Sequence, residues 1–298
     1  KLRAALARNM PRQIVYFVHI SDTHIGPHRG YTRHDHEPYS CAERVVEIIN
    51  SLPTRPDFVV HTGDVVYHPD PDAYRLAAQV FGKLQVPIYY VVGNHDRARD
   101  IHHFLPMGPK EELIADRETL CYAFTVKGYR FLVLDGRGDD EIDPHGFLGE
   151  AQLDVVRREA TPEGPPLTVF THYPALPLNS IWMDAHMLTI DGHKLHEALL
   201  PARDRLRGVF YGHVHQPMQT QRDGILYVSG PSVFAQFLAW PDDIDVQFDT
   251  LAPPGYGFVH LIPGQTIIHQ HTFPRPGGTF AERDESVPGV SVRIRDGR

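Results

Sequence analysis

Apolar runs and helix-period stretches alternate along the first third of the chain. Residues 13–20 (QIVYFVHI) are β-branched or aromatic at nearly every position, as in a strand buried on both faces. Ser40-Cys41-Ala42-Glu43 has the form of a capping box, and Val45, Val46, Ile48 and Ile49 give an apolar face to a helix running to about Leu52. Residues 57–61 (DFVVH) read as a second strand. Asp70-Pro71 offers an N-cap and a first-turn proline to a helix reaching about Leu84, and residues 87–92 read as a third strand. Strand–helix–strand repeats of this length predict right-handed parallel crossovers with helices covering the sheet.

Beyond residue 118 the pattern changes. Residues 120–126 and 129–134, separated by Lys127-Gly128, predict an antiparallel hairpin. A helix over 149–159 follows, then strands at 167–171, 208–211 and 225–229, and a second hairpin whose arms, 257–262 and 266–272, flank Pro263-Gly264. The expected organisation is an N-terminal extension over 1–12, a single domain over 13–273 that includes the hairpin 257–272, and a polar, Pro- and Gly-rich tail over 274–298 that is loosely held. The first eight residues are basic and Ala-rich and lack the apolar core of a signal peptide.

Composition narrows the function classes. With 42% hydrophobic residues in 298, the chain can fill a sizeable core, yet no apolar run approaches the roughly 18 residues of a membrane span. A net charge of −8 gives no basic footprint, which disfavours nucleic acid as a partner. Two cysteines form no disulfide framework, which favours a reducing compartment and places the protein in the cytoplasm. Twenty histidines against 29 lysines and arginines is a high proportion, and it directs attention to metal chemistry.

Five short blocks carry that chemistry: Ser21-Asp22-Thr23-His24, Gly63-Asp64, Gly93-Asn94-His95-Asp96, Thr171-His172-Tyr173 and Gly212-His213-Val214-His215. Each follows a predicted strand, at the rim where loops of an open α/β sheet converge on a ligand. Alone, Asp-x-His is an ordinary loop pair and Gly-Asp an ordinary turn. A purely structural reading does not explain all five in order at strand ends. Two neighbouring cations need an anionic bridge, which a carboxylate supplies with one oxygen to each. Imidazoles suit borderline transition metals, and Asp and Asn oxygens keep Mn²⁺ and Fe²⁺ acceptable beside Zn²⁺ and Co²⁺. With no thiolate, a closed structural zinc site is disfavoured.

These residues resemble the calcineurin-like metallophosphoesterase superfamily, whose pattern is D-x-H, G-D, G-N-H-[DE], H and G-H-x-H. The resemblance runs from about Val15 to Ser229, with a weaker echo through the hairpin ending near Thr272. It is strongest to class III cyclic-nucleotide phosphodiesterases and glycerophosphodiesterases, through the first and third blocks, Met183-Asp184, Asp191-Gly192-His193 and Gly230-Pro231-Ser232. It implies an α/β fold of two packed mixed β-sheets flanked by helices, a four-layer α/β/β/α sandwich. It further implies that Asp22, His24, Asp64 and His215 hold one metal and that Asp64, Asn94, His172 and His213 hold a second, with Asp64 bridging. His95 would contact the leaving-group or phosphoryl oxygen. The implied reaction is hydrolysis of small phosphodiesters, of cyclic-nucleotide or glycerophosphodiester type, by hydroxide formed between the two ions. One position departs from the pattern. Many relatives carry G-D-x-x-D, whose second Asp orients the catalytic histidine; here Tyr67 stands there, so either Asp96 or a backbone carbonyl orients His95, or its acid role is weaker.

Substrate choice must lie in the loops. Asn94 and His95, with Arg29, Arg33, His34 and His36 from the loop 27–39, are candidate substrate contacts, set against a plain solvated loop. Residues 174–191, with Trp182 and Met183, are expected to close over the pocket or to pack on a neighbouring subunit. The apolar stretch 232–240 is expected at the pocket wall or in a subunit contact, which leaves a homo-oligomer open. His102, His103, His193 and His196 are expected on the surface, and Asp135 in a turn. Two rival readings remain: a phosphomonoesterase of broad specificity, and a noncatalytic metal-binding interaction scaffold on the same fold. A nuclease would show a basic track, which the net charge opposes.

Overall fold

The computed structural model describes residues 13–249 and 251–276; the expected extension over 1–12, and the expected tail from residue 277, lie outside the described residues. The N-terminal alternation builds one sheet. β1 (Val15–Ile20) pairs in parallel with β2 (Phe58–His61), which pairs in parallel with β3 (Ile88–Tyr90). The crossovers are α1 (Pro38–Asn50) and α2 (Pro71–Phe81). On its other side β1 pairs antiparallel with β13 (Gly255–Ile262), and β13 with β14 (Gln265–Thr272), giving the order β14-β13-β1-β2-β3.

The second sheet has seven strands in the order β4-β5-β6-β7-β8-β10-β9. The expected hairpin is β5 (Tyr122–Val126) and β6 (Tyr129–Val133), with the short β4 (Glu111–Glu112) at the edge. β7 (Leu167–Phe170), β8 (Leu206–Tyr211) and β10 (Ile225–Ser229) continue in parallel, and β9 (Gln219–Arg222) closes the far edge antiparallel.

The period of two along these strands sorts side chains between two cores. Phe131, Phe170 and Phe210 face the first sheet, where the Phe17 ring lies 6.2, 5.6 and 5.3 Å from theirs. Their neighbours Leu132, Val169 and Val209 face outward into a second core, shared with Leu153 and Val156 of α4 (Gly149–Glu159) and Leu195 and Leu199 of α6 (Gly192–Leu199). On the other side Val45, Val46, Tyr74 and Ala77 pack α1 and α2 into the core of the first sheet. The molecule is therefore the expected pair of packed mixed sheets flanked by helices. Each fully buried Phe contributes roughly 1.5–3 kcal/mol by leaving water, so this aromatic interlayer fixes how the sheets register at their common rim.

Local departures have local causes. α1 starts two residues before the expected capping box, because Pro38 fixes the first-turn geometry and the Ser40 hydroxyl turns back to donate to Glu37. α2 begins as expected, with the Asp70 carboxylate accepting from the Asp72 and Ala73 amides at 2.7 and 3.3 Å, but ends at Phe81 with Gly82 following. Elements not expected from the pattern include β4, α3 (Ala98–Phe104), α5 (Ile181–His186), α6, β9, and a ribbon of β11 (Gln236–Leu238) and β12 (Gln247–Asp249). Arg275, within the expected tail, donates through Nη2 to Ala252 O at 2.7 Å. Among the described residues no helix is long and apolar enough to cross a membrane.

Candidate metal centre

Each of the five blocks emerges where a parallel strand ends: Asp22 after β1, Asp64 after β2, Asn94 after β3, His172 after β7 and His213 after β8. The chain then leaves its extended path. Asp22, His24, Asp64, His213 and His215 all adopt positive φ, between 47° and 69°. That conformation costs an L-residue about 1 kcal/mol or more each, and such strain collects at functional sites. The two sheets meet closely here. A Cβ on Gly212 would overlap the Ser21 hydroxyl, and one on Gly93 would overlap the Asp64 carboxylate, so both blocks need glycine where they do. Ser232 Oγ donates to Asp22 O at 2.9 Å, and the His213 amide donates to Asp22 Oδ1 at 3.1 Å.

These turns aim the side chains inward. Ligand atoms of Asp22, His24, Asp64 and His215 lie within 4.8 Å of one another, as do those of Asp64, His172 and His213, and all are buried. Asp64 belongs to both groups: its Oδ2 is 3.6 Å from His24 Nε2 and 3.4 Å from His172 Nε2. His24 Nε2 and His215 Nε2 face each other at 3.0 Å, and His172 Nε2 faces His213 Nδ1 at 3.1 Å. His172 Nδ1–H donates to Thr62 O and His215 Nδ1–H to Ala235 O, both at 2.6 Å, which fixes each ring's orientation and turns its Nε2 into the site. Asn94 Oδ1 is buried without a hydrogen-bond partner among the described residues, and its neighbours Gly93 and His95 both lie against Asp64.

The electrostatics describe a site short of positive charge. Burial opposes a charge on Asp64, yet His172, His95 and His24 around it hold its carboxyl well below the usual range. Burial also opposes a charge on His172, but the Asp64 and Asp22 carboxylates outweigh it and push the imidazole up to about 9. Burial raises Asp22 to about 7, lowers His215 to about 3, and drives His24 and His213 well below their ordinary value. His24 and His172 are almost equally close to Asp64, but one carboxylate sustains one imidazolium, and the ion pair is Asp64–His172. The other imidazoles are held neutral, and their ring nitrogens converge with the two carboxylates, which fits divalent cations of borderline hardness.

The calcineurin-like phosphoesterase family profile matches residues 15–217. The chain belongs to that family. It is 29% identical over 272 residues to the glycerophosphodiester phosphodiesterase GpdQ of Enterobacter lignolyticus, a match covering 88% of this chain and 92% of the relative. It is also 29% identical over 249 residues to the 3',5'-cyclic adenosine monophosphate phosphodiesterase CpdA of Pseudomonas aeruginosa, covering 83% and 85%. The fold is shared with a dimetal phosphatase from Danio rerio, at a TM-score of 0.58 and 16% identity over 86% of this chain and 98% of that one. The protein is thus a metal-dependent phosphoesterase, of a family that uses a dinuclear centre.

In this phosphoesterase His95 stands beside both groups without belonging to either. Its ring lies 4.8 Å edge-on to His24 and stacks on Tyr67 at 5.4 Å. Its Nδ1–H donates to Tyr67 O at 2.7 Å, so a backbone carbonyl orients it. Asp96 does something else. Its buried carboxylate accepts from the Val65, Val66 and Gly93 amides at 3.1–3.3 Å and ties the Asp64 turn to the Asn94 turn.

The candidate substrate contacts separate. Arg33 reaches the centre, with Nη1 3.3 Å from His24 Nδ1. His34 stacks on Phe248 at 3.6 Å, whereas Arg29 lies over the Tyr39 ring at 5.0 Å. Residues 232–236 are buried and form the wall beside the centre. The segment 174–191 is packed rather than free: Ile181 and Trp182 amides donate to Pro241 and Asp243 carbonyls, and Trp182 meets Phe237 edge-on at 6.0 Å. Asp135 holds the Leu120 and Arg137 amides, a turn role.

One expectation fails. His196 is not on the surface; it is buried, with Nδ1 2.7 Å from Tyr227 Oη and Nε2 3.0 Å from Asp223 Oδ2, and it ties α6 to β9 and β10. The pattern also gave no sign of the β11–β12 ribbon, which lays Phe237 flat on His215 at 4.5 Å and brings Phe248 to Phe237 at 4.8 Å. A surface cavity of about 610 Å³, whose lining includes Glu150 and Arg157 of α4 and Lys194 and Glu197 of α6, contains none of these residues.

Proposed function

We propose that this phosphoesterase hydrolyses phosphodiester bonds of small molecules, of cyclic-nucleotide or glycerophosphodiester type. Asp22, His24, Asp64 and His215 hold one divalent transition-metal ion, Mn, Fe, Zn or Co, and Asp64, Asn94, His172 and His213 hold the second. The single supporting observation is the buried Asp64 carboxylate, shared by two clusters of converging carboxylate oxygens and imidazole nitrogens. Ions held there supply Lewis acidity, polarising phosphoryl oxygens and making water a competent nucleophile near neutral pH.

The chain's own residues do the rest. Thr62 and Ala235 carbonyls hold His172 and His215 in the ligating tautomer. Asp96 locks the turns of Asp64 and Asn94 together. His95, steered by Tyr67 O, presents Nε2 to the departing oxygen; protonated on both ring nitrogens, it keeps Nδ1–H on Tyr67 O and gives the Nε2 proton to that oxygen. The diester preference is supported by the two relatives named for diester substrates, each matched over most of its length. Two buried thiols, Cys41 and Cys121, both unbridged, support a reducing compartment such as the cytoplasm.

Turnover of bis-p-nitrophenyl phosphate against p-nitrophenyl phosphate, with elemental analysis of the purified protein, tests this reading. Faster turnover of the diester with about two ions per chain is expected. A preference for the monoester overturns the diester assignment. Absence of hydrolysis after loading with Mn²⁺, Fe²⁺, Zn²⁺ or Co²⁺ returns the scaffold reading.

A further inference from the structure

We propose that Arg33 grips the phosphate of the substrate at the His24 edge of the centre, seated there by the ring of Tyr67; the assignment rests on the dinuclear phosphoesterase reading above. Arg33 sits among cation-binding groups and has no anion of its own. Its Nη1 lies 3.3 Å from His24 Nδ1, and its Cζ lies 4.2 Å from the Tyr67 ring centroid and 5.7 Å from that of Phe248. Among the described residues no carboxylate oxygen comes within ion-pair distance of it. Its hydrogen bonds go to neutral imidazoles, through Nε to His34 Nε2 at 3.1 Å and through Nη1 to His24, whereas part-buried Arg130 pairs with the Glu159 and Glu111 carboxylates. A guanidinium beside imidazoles committed to dications is repelled by their charge. The arrangement becomes favourable when an anion lies between them.

The backbone is built to hold Arg33 there. Arg33 and His36 exchange both amide-to-carbonyl hydrogen bonds at 2.9 Å, closing a two-residue turn. Its central residues, His34 and Asp35, have φ of 49° and 61°, the left-handed pair that such turns usually give to Asn and Gly. Strain of this kind persists where the surroundings impose it, commonly at ligand clamps. Nearby, the Ile25 amide donates to Val65 O and the Tyr67 amide to Ile25 O, and Tyr31 lies 5.7 Å from Tyr67. These contacts pack the base of the loop and Tyr31 against the segment that carries Tyr67.

Tyr67 explains the departure from G-D-x-x-D. An aspartate at this position would pair with Arg33 and quench it. Tyrosine seats the guanidinium through its π face and leaves the full charge for the ligand, while its carbonyl keeps His95 aligned. A planar guanidinium matches two non-esterified phosphate oxygens with parallel N–H bonds, which a lysine does not reproduce.

The test uses manganese-loaded protein with inorganic phosphate as the probe. Calorimetric affinity for phosphate, and the KM for bis-p-nitrophenyl phosphate, are measured for wild type, R33M, R33K, Y67D and the R33M/Y67D pair, with metal content and melting temperature recorded for each. R33M should weaken phosphate and raise KM by about tenfold or more, with metal content unchanged, and R33K should recover only part of the loss. Y67D should lose phosphate affinity to a similar degree, with no further loss in the double variant, because both changes remove one charge. Unchanged phosphate affinity in R33M at full metal content overturns the proposal. Loss of metal from both R33M and R33K also overturns it, because Arg33 then supports His24 rather than the ligand. A wild-type protein that takes up no metal refutes the dinuclear reading separately; Arg33 is then judged by phosphate affinity alone, upheld if R33M loses it and overturned if not.

Discussion

Replacing His95 with alanine separates metal holding from leaving-group chemistry. The imidazole belongs to neither cluster of ligand atoms, so its removal exposes no ion. What position 95 does give the centre is a backbone amide, donating to Asp64 Oδ1 at 2.9 Å, and every side chain retains that amide. Metal content should therefore be unchanged. The ring has one free nitrogen, because Nδ1–H is tied to Tyr67 O. Loss of a positioned proton donor lowers the rate by about 10²–10⁴-fold, or about 3–5 kcal/mol at roughly 1.4 kcal/mol per decade. That loss depends on the alcohol released. A glycerophosphodiester expels an alkoxide, which needs the proton; p-nitrophenolate leaves with little help. Steady-state kinetics of His95→Ala should show the full loss in kcat for a glycerophosphodiester and about tenfold or less for bis-p-nitrophenyl phosphate. Equal losses on both substrates refute proton donation and leave His95 as a phosphoryl contact. Loss of metal refutes its exclusion from the ligand set.

Three further outcomes follow from the same geometry. Asp64→Ala should strip both ions in elemental analysis and abolish turnover together, because the carboxylate is shared; a variant holding two ions with full activity contradicts the bridging role. His19, buried beside Thr62 Oγ1 at 2.9 Å, is lowered by burial to about 3, so the unfolded chain takes up a proton below pH 6.5 that the folded chain refuses. Stability should fall as pH drops from 6.5 towards 3, by about 2 kcal/mol at pH 5 from this residue, and urea melts of His19→Gln should lack that share; parallel curves for variant and wild type rule it out. Gly212→Ala places a methyl group in the Ser21 hydroxyl and against Asp22, so the melting temperature should drop by the equivalent of about 1–3 kcal/mol, and an unchanged melt shows that the rims are not tightly apposed.

The convergence of the proposed ligands was legible because each follows a run that reads as a buried strand. β1, β2, β3, β7 and β8 announce themselves by β-branched and aromatic residues, and the sheet rule then places what comes next at one rim. The crossovers were legible for the same reason, since α1 and α2 are long enough to show a helical period. α5 and α6, with six and eight residues, are too short for that signal, and β9 (QTQR) is an exposed edge strand with no apolar alternation. The start of α1 was misread because a capping box and a first-turn proline compete within three residues, and the proline prevails. Phe248 was invisible as a wall residue. Nothing local to it distinguishes a solvated loop from the ribbon partner of Phe237. His196 was misassigned because burial among Tyr227 and Asp223 depends on contacts 27 and 31 residues away.

The proposed ligands divide between the sheets in a way that links fold and chemistry. Asp22, His24, Asp64 and Asn94 follow strands of the first sheet, whereas His172, His213 and His215 follow strands of the second. Each cluster draws on both sheets, so an ion held by either would cross-link them at their rim as well as act as a Lewis acid. Without ions, the rim holds five left-handed residues and a set of imidazoles that burial keeps neutral, with only the Asp64–His172 pair in charge balance. At about 1 kcal/mol or more for each strained residue, that arrangement is comparable to the net stability of a whole domain. The aromatic interlayer of Phe17, Phe58, Phe131, Phe170 and Phe210 is what can hold it in place, since these rings set the distance between the sheets before any ligand is bound. Preorganisation of the centre is in this sense a property of the core, and only the last step, neutralising the converging lone pairs, is left to the metal.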